Sequence, residues 1–233
     1  MPLEKPWPLD ATLRLLAGLF ASLSAGWLVA SLLGLGADNK FGAFLVSTLC
    51  FHGAMLLLVQ VFVWETRTTW SEAFGFNQPD ALRALLLAVI LTLIVLPCAW
   101  LLGQLSAYSM TWLRLEPAVQ EAVTTLQSTV EVPQQIYMAG AAVLLVPVAE
   151  ELLFRGILYP TIKGLGWPRL AFWGTAILFG AVHMTLMTFV PLTFLGLCLT
   201  WLYEKTQNLL APIFAHSLFN LANLLLLVLM PPS

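Results

Sequence analysis

Charge is what this chain has least of. Only 9% of its 233 residues are Asp, Glu, Lys or Arg, where a soluble domain carries about 25%. With 60% hydrophobic residues it cannot cover its own surface with polar groups, and it reads as an integral membrane protein. A net charge of −2 points to no nucleic acid or other polyanion partner. Cysteine is scarce as well. Cys50, Cys98 and Cys198 all lie in apolar runs, which argues against a disulfide framework or a cysteine metal cluster and predicts buried thiols. No small-x-small cleavage site follows the first apolar run, so that run is expected to remain in the mature protein.

Long apolar runs are what is present. A spanning helix needs about 20 mostly apolar residues. Seven stretches qualify: 11–35, 42–64, 82–104, 137–160, 168–185, 187–203 and 209–230. The expectation is an all-α polytopic transmembrane bundle forming one domain over 1–233, with a tight turn near residue 187 separating the fifth and sixth spans. Basic residues orient it. Lys5, Arg14, Arg67, Arg83, Lys163, Arg169 and Lys205 fall on the N-terminal side, and only Lys40 and Arg114 fall on the other. The positive-inside rule then places the N-terminus in the cytoplasm, in a plasma or inner membrane. Two connections carry more than a link. Residues 65–80 are rich in aromatics suited to the membrane interface. In 105–136, Val119, Val123, Leu126 and Val130 recur at helical spacing and predict a short amphipathic helix on the membrane or capping the bundle. An ordinary surface helix explains the same spacing.

Against this background, ionisable residues inside spans stand out. Residues 148–156 read Val-Ala-Glu-Glu-Leu-Leu-Phe-Arg-Gly. A charge near a bilayer centre costs roughly 2.5–3.5 kcal/mol on the insertion scale, so an intramembrane cluster points to function. Glu151 and Arg155 are four apart with the acid first, the better orientation for a helical pair that neutralises itself. Glu150 lies about 100° round the helix from Glu151 and is the carboxylate left free. His183 sits in the fifth span. His216, Asn220 and Asn223 share one face of the seventh. At 1.5 Å per residue from the cytoplasmic ends, depths come to ~15 Å for Glu150, ~11 Å for His216, ~17 Å for Asn220 and ~23 Å for His183. These depths allow one shared pocket.

The residue types define what such a pocket can do. A partly desolvated carboxylate is a strengthened general base for water, and a histidine beside it can hold that water. An Asn amide and a second His can donate to a developing oxyanion. The same Glu150, His183 and His216 could instead ligate zinc as a His₂Glu site with an open position, although no His-Glu-x-x-His helix is present. Taken singly, each residue has a structural reading: a satisfied core His, an Asn bridging helices, a buried ion pair. A proton-coupled transporter could also use a Glu/His relay at this depth.

Glu150-Glu151-x-x-x-Arg155, Phe179-x-x-x-His183 and His216-x-x-x-Asn220, in this order, resemble the three motifs of the CPBP family. These are intramembrane proteases similar to type II CAAX prenyl endopeptidases, a group that includes bacteriocin-immunity proteins. Gly156 and Tyr159 fit the segment after the Arg, and Phe74-Gly75-Phe76 is a weaker further match. The resemblance covers about 137–223, the motif-bearing core. It implies an intramembrane endopeptidase acting on a membrane-embedded or lipidated substrate. Glu150 would activate water with His183 helping to position it, His216 and Asn220 would stabilise the oxyanion, and Glu151 and Arg155 would support the site. Members are often labelled metalloproteases, whereas the prenyl-endopeptidase mechanism is described as glutamate-dependent. The expectation is no cofactor, with zinc on Glu150, His183 and His216 as the alternative. A non-catalytic immunity or scaffold protein would use the same fold. Eight spans are often drawn for the family, and an eighth here would return the C-terminus to the cytoplasm.

Overall fold

Proline, glycine and small polar caps divide the apolar runs into helices. The computed structural model describes residues 7–36, 39–78, 80–118 and 120–229. In chain order the helices are α1 (Leu9–Leu32), α2 (Lys40–Glu65), α3 (Trp70–Phe74), α4 (Ala81–Trp112), α5 (Glu121–Ser128), α6 (Val132–Gly164), α7 (Pro168–Ala181), α8 (Leu186–Thr206) and α9 (Leu210–Leu229). No strand occurs among the described residues, as the sequence predicts. α1, α2, α4, α6, α8 and α9 are long and apolar enough to cross a bilayer, which makes this an integral multi-pass membrane protein.

The fifth expected span, 168–185, is shorter than its apolar run. Pro168 opens α7 in the first turn, and the chain leaves the helix after Ala181. Met184 takes φ = 53°, which ends helical propagation. At 14 residues α7 is about 21 Å long, short of a ~30 Å hydrocarbon core. Yet the Lys163–Glu204 ion pair sets the end of α8 beside the end of α6, so α7 and α8 run out and back and Lys205 stays on the side of Lys163. The turn expected near 187 therefore sits at 182–185. The three cysteines are half-buried free thiols rather than fully buried ones. Val119 of the outer stripe lies outside the described residues. Val123 and Leu126 are half-buried on α5, and Val130 lies beyond the helix at 86% exposed.

α6 is the central element. In its most apolar window 44% of residues are buried, more than in any other span, and that fixes where ionisable groups can be hidden from lipid. α9 packs on α6 and α4, and α8 packs on α4 and α7. Small residues bring α7 and α8 into backbone contact: a Cβ on Gly196 would lie 3.1 Å from Ala176 Cα, and one on Gly180 would lie 2.8 Å from Phe189 O.

α6 contains two widened π turns, Ala141–Leu145 and Leu152–Leu158, each followed closely by proline (Pro147, Pro160). Proline lacks the N–H a preceding carbonyl needs. Gly156 O, whose α-helical donor would be residue 160, accepts instead from Trp7 Nε1 at 2.8 Å. Thr12 and Thr161 share a hydroxyl hydrogen bond at 3.0 Å on the same seam. The first segment of the chain is thus fastened to the helix that carries the acidic pair.

In the 65–80 connection Trp70 and Phe76 are half-buried, and one aromatic, Phe74, turns fully inward. Thr69 and Glu72 form a reciprocal capping box on α3, and Gly75 ends it in the left-handed conformation at φ = 74°. Phe74 is then fully buried, and its carbonyl accepts from Leu209 N at 2.9 Å at the start of α9. A Cβ on Gly75 would meet Gln207 O at 1.9 Å. Gly75→Ala combines left-handed strain of about 1–2 kcal/mol with that clash, so a loss above about 2 kcal/mol is expected in thermal unfolding of the detergent-solubilised protein. Wild-type stability in this variant would contradict the packing described.

Candidate active site

The acidic pair occupies the turn of α6 between the two π segments. Glu150 is 7% exposed, Glu151 and Arg155 are fully buried, and His216 is 3% exposed. Buried charges need partners, and Glu151 and Arg155 have each other. Arg155 Nη1 donates to Glu151 Oε1 at 2.6 Å, Nη2 to Gly196 O at 2.9 Å and Nε to Thr200 Oγ1 at 3.3 Å. The guanidinium carbon lies 4.7 Å from the centre of the Phe179 ring. The same ring stands edge-on to His183, His216 and Phe154 at 5.1, 5.6 and 5.2 Å, so one aromatic side chain packs against every arm of the cluster except the carboxylates.

Glu151 has a second partner. His216 Nδ1 lies 2.9 Å from the same Oε1 that accepts Arg155. The carboxylate only accepts, so Nδ1 carries the proton, and Nε2 is left facing Glu150 Oε2 at 3.9 Å. His183 shows the same logic: Nδ1 meets the Phe179 carbonyl at 2.7 Å, and Nε2 faces Glu150 Oε1 at 3.9 Å. Each carboxylate oxygen of Glu150 therefore looks at a histidine Nε2. That distance is too long for a direct hydrogen bond and suits a small polar molecule held by both groups. The buried Oε2 of Glu150 has no hydrogen-bond partner among the described residues.

Asn220 is tied to the helix that carries the acidic pair through a backbone fault. In the first π turn Val146 N donates to Ala141 O, five residues back. The next residue is Pro147, which has no N–H, so Ala142 O is left without a helical donor. Asn220 Nδ2 fills it at 2.8 Å. One hydrogen of the amide is spent fixing its position and the other is available. Asn223, expected on the same face, is exposed and bonds to Phe219 O of its own helix.

Glu150, His183 and His216 are the donors a His₂Glu zinc site would use. Among the described residues, however, no three His, Cys, Asp or Glu side chains converge closely enough to hold a metal ion. The side chains themselves supply a carboxylate, two imidazoles and an amide.

Sequence reasoning missed Phe179 as a shared packing wall, Gly196 and Thr200 as partners of Arg155, and the carbonyl of Ala142. Gly196 and Thr200 are four apart on one face of α8, a signal that means little until Arg155 is known to lie opposite. Pro147 is the visible trace of the Ala142 fault. Glu204 on α8 was also unassigned. It accepts from Lys163 Nζ at 2.7 Å and from the Tyr159 hydroxyl, tying the end of α6 to α8.

Residues 132–222 match the family model described as type II CAAX prenyl endopeptidase Rce1-like. The UPF0177 protein YxdF of Lactococcus lactis is 28% identical over 134 residues, covering 52% of this chain and 72% of that protein. A Bacillus subtilis protein named "Putative membrane peptidase YdiL" is 31% identical over 74 residues, 32% of this chain and 30% of that one. No solved structure gives a significant match. Over 132–222, the segment that builds the acidic cluster and carries His183, His216 and Asn220, the chain is similar to the Rce1-like type II CAAX prenyl endopeptidases.

Proposed function

We propose that the protein is an intramembrane endopeptidase in which Glu150 activates water for attack on a peptide bond near the C-terminus of a membrane-embedded or lipidated substrate. The observation that carries this reading is the placement of both Glu150 oxygens opposite histidine Nε2 atoms at 3.9 Å, with one of those oxygens unpartnered. A water held there can lose its proton to Glu150 while His183 Nε2 accepts its second hydrogen and fixes its lone pair. Asn220 supplies a preorganised amide hydrogen to the oxyanion. His216 adds a second donor when Nε2 is also protonated, its ring held against Glu151. Arg155 and Glu151 keep these groups in place. The Rce1-like match favours a prenylated peptide as the substrate class. The membrane we assign is the plasma membrane, with the N-terminus cytoplasmic, on the strength of the basic-residue asymmetry.

Two measurements test this. Incubating the purified protein in proteoliposomes with prenylated and unprenylated peptides is expected to give cleavage products of the prenylated set, unchanged by chelator treatment. No cleavage across the panel would favour a scaffold or immunity role on the same fold, and loss with chelator would assign a metal. Asn220→Ala is expected to lower the rate ~10²–10³-fold, the usual cost of one oxyanion donor. A wild-type rate would remove Asn220 from the mechanism.

A further inference from the structure

A second polar site lies away from the acidic cluster, where α4 begins, α8 ends and α9 begins. A cavity of about 100 Å³ opens there, lined by Gln78, Asp80, Arg83, Lys205, Thr206 and Asn208 among others. By the roughly 30 Å³ that a water occupies, it has room for about three waters or one small oxyanion.

Its chemistry is that of a donor set. Arg83 makes no ion pair among the described residues. Lys205 follows Glu204, whose carboxylate is taken up by Lys163 and Tyr159. α4, a 32-residue helix starting at Ala81, points its N-terminal N–H groups and positive dipole end at the same region. Asp80 is the one carboxylate on the lining, and it is exposed.

Asn208 separates this place from an ordinary basic rim. It is 1% exposed, and its Oδ1 accepts from Leu210 N at 2.9 Å, which caps α9 and fixes which way the amide faces. That leaves Nδ2, with its two hydrogens, buried and without a partner. An orphaned buried donor costs free energy unless a ligand or water meets it. Two cations, a helix N-terminus and an unspent amide border one small volume where α4 begins and α8 ends.

We propose that this cavity is a binding site for a phosphate oxyanion, the group carried by phospholipid heads at this depth and by soluble phosphates beside them. Arg83 and Lys205 neutralise the charge, and Asn208 Nδ2 reads the oxygens. The site does not depend on the catalytic reading.

The test uses the full chain and Asn208→Asp. The Asp side chain keeps the oxygen that caps Leu210 N, so α9 stays capped, but it replaces two donors with a negative charge. Protein extracted from vesicles of phosphatidylcholine with phosphatidylglycerol is examined by native mass spectrometry for retained phosphatidylglycerol. Inorganic phosphate binding is followed separately by calorimetry in neutral detergent. The expected result is retention of phosphatidylglycerol by the wild type, falling about tenfold or more in Asn208→Asp and in Arg83→Ala/Lys205→Ala. Phosphate binding with the same dependence on these residues and no lipid retention would support the site and assign it to a soluble ligand. Absence of both, or equal binding by wild type and variants, would overturn it.

Discussion

Arg155→Ala is expected to destabilise the protein by about 3–5 kcal/mol, the usual cost of removing one partner from a buried ion pair. The side chain is fully buried and makes three hydrogen bonds, to Glu151, Gly196 and Thr200. Its loss leaves the Glu151 carboxylate without its cation, with only His216 beside it. It also removes the guanidinium that packs 4.7 Å from the centre of the Phe179 ring and 5.8 Å from that of Phe154. For a chain of this length the shift in Tm is roughly 6–20 °C. Replacing both partners, Glu151→Leu with Arg155→Met, is expected to recover much of that stability, because no charge is then buried alone. The double variant should still be impaired in cleavage, since His216 loses the carboxylate that holds its ring. A Tm for Arg155→Ala within a degree or two of wild type would mean that the pair is hydrated and not the anchor described.

The pair illustrates how far the sequence could be read. Glu151 and Arg155 at i, i+4, and Glu150 on a different face, are visible from spacing alone, as are the long apolar runs, six of which form helices long and apolar enough to cross a bilayer. The sequence could not show that Glu151 has a second partner, because His216 lies 65 residues away and on another helix. Nor could it place Phe74. An aromatic in a polar connection reads as an interface residue until Gly75, by turning left-handed, directs the chain against residues 207–209. α7 fell short of its apolar run for a similar reason: no charged or glycine-rich break follows His183 in the sequence, yet the helix ends at Ala181, just before the positive-φ turn at Met184. Prolines 147 and 160 were visible, but which side chains would answer the carbonyls they orphan depended on packing, and Asn220 and Trp7 come from opposite ends of the chain.

Glu150→Gln is expected to have the largest effect on activity. The amide is nearly the same size as the carboxylate and sits in the same space, so the fold should hold. It removes no ion pair at hydrogen-bond distance, since both histidines stand 3.9 Å away. It does remove the base. An amide cannot take a proton from water, and positioned proton transfer accounts for about 10²–10⁴ in rate. Glu151→Gln should behave differently, losing stability along with activity, because that carboxylate accepts from both Arg155 and His216. The contrast between the two adjacent glutamates separates the proposed base from the anchor. The most direct measurement is mass-spectrometric detection of peptide cleavage by wild-type and Glu150→Gln protein in proteoliposomes, with unfolding temperature recorded on the same samples. The account predicts cleavage by the wild type and a fall of at least about 10² in the variant at unchanged Tm, whereas equal cleavage by the two proteins would contradict it.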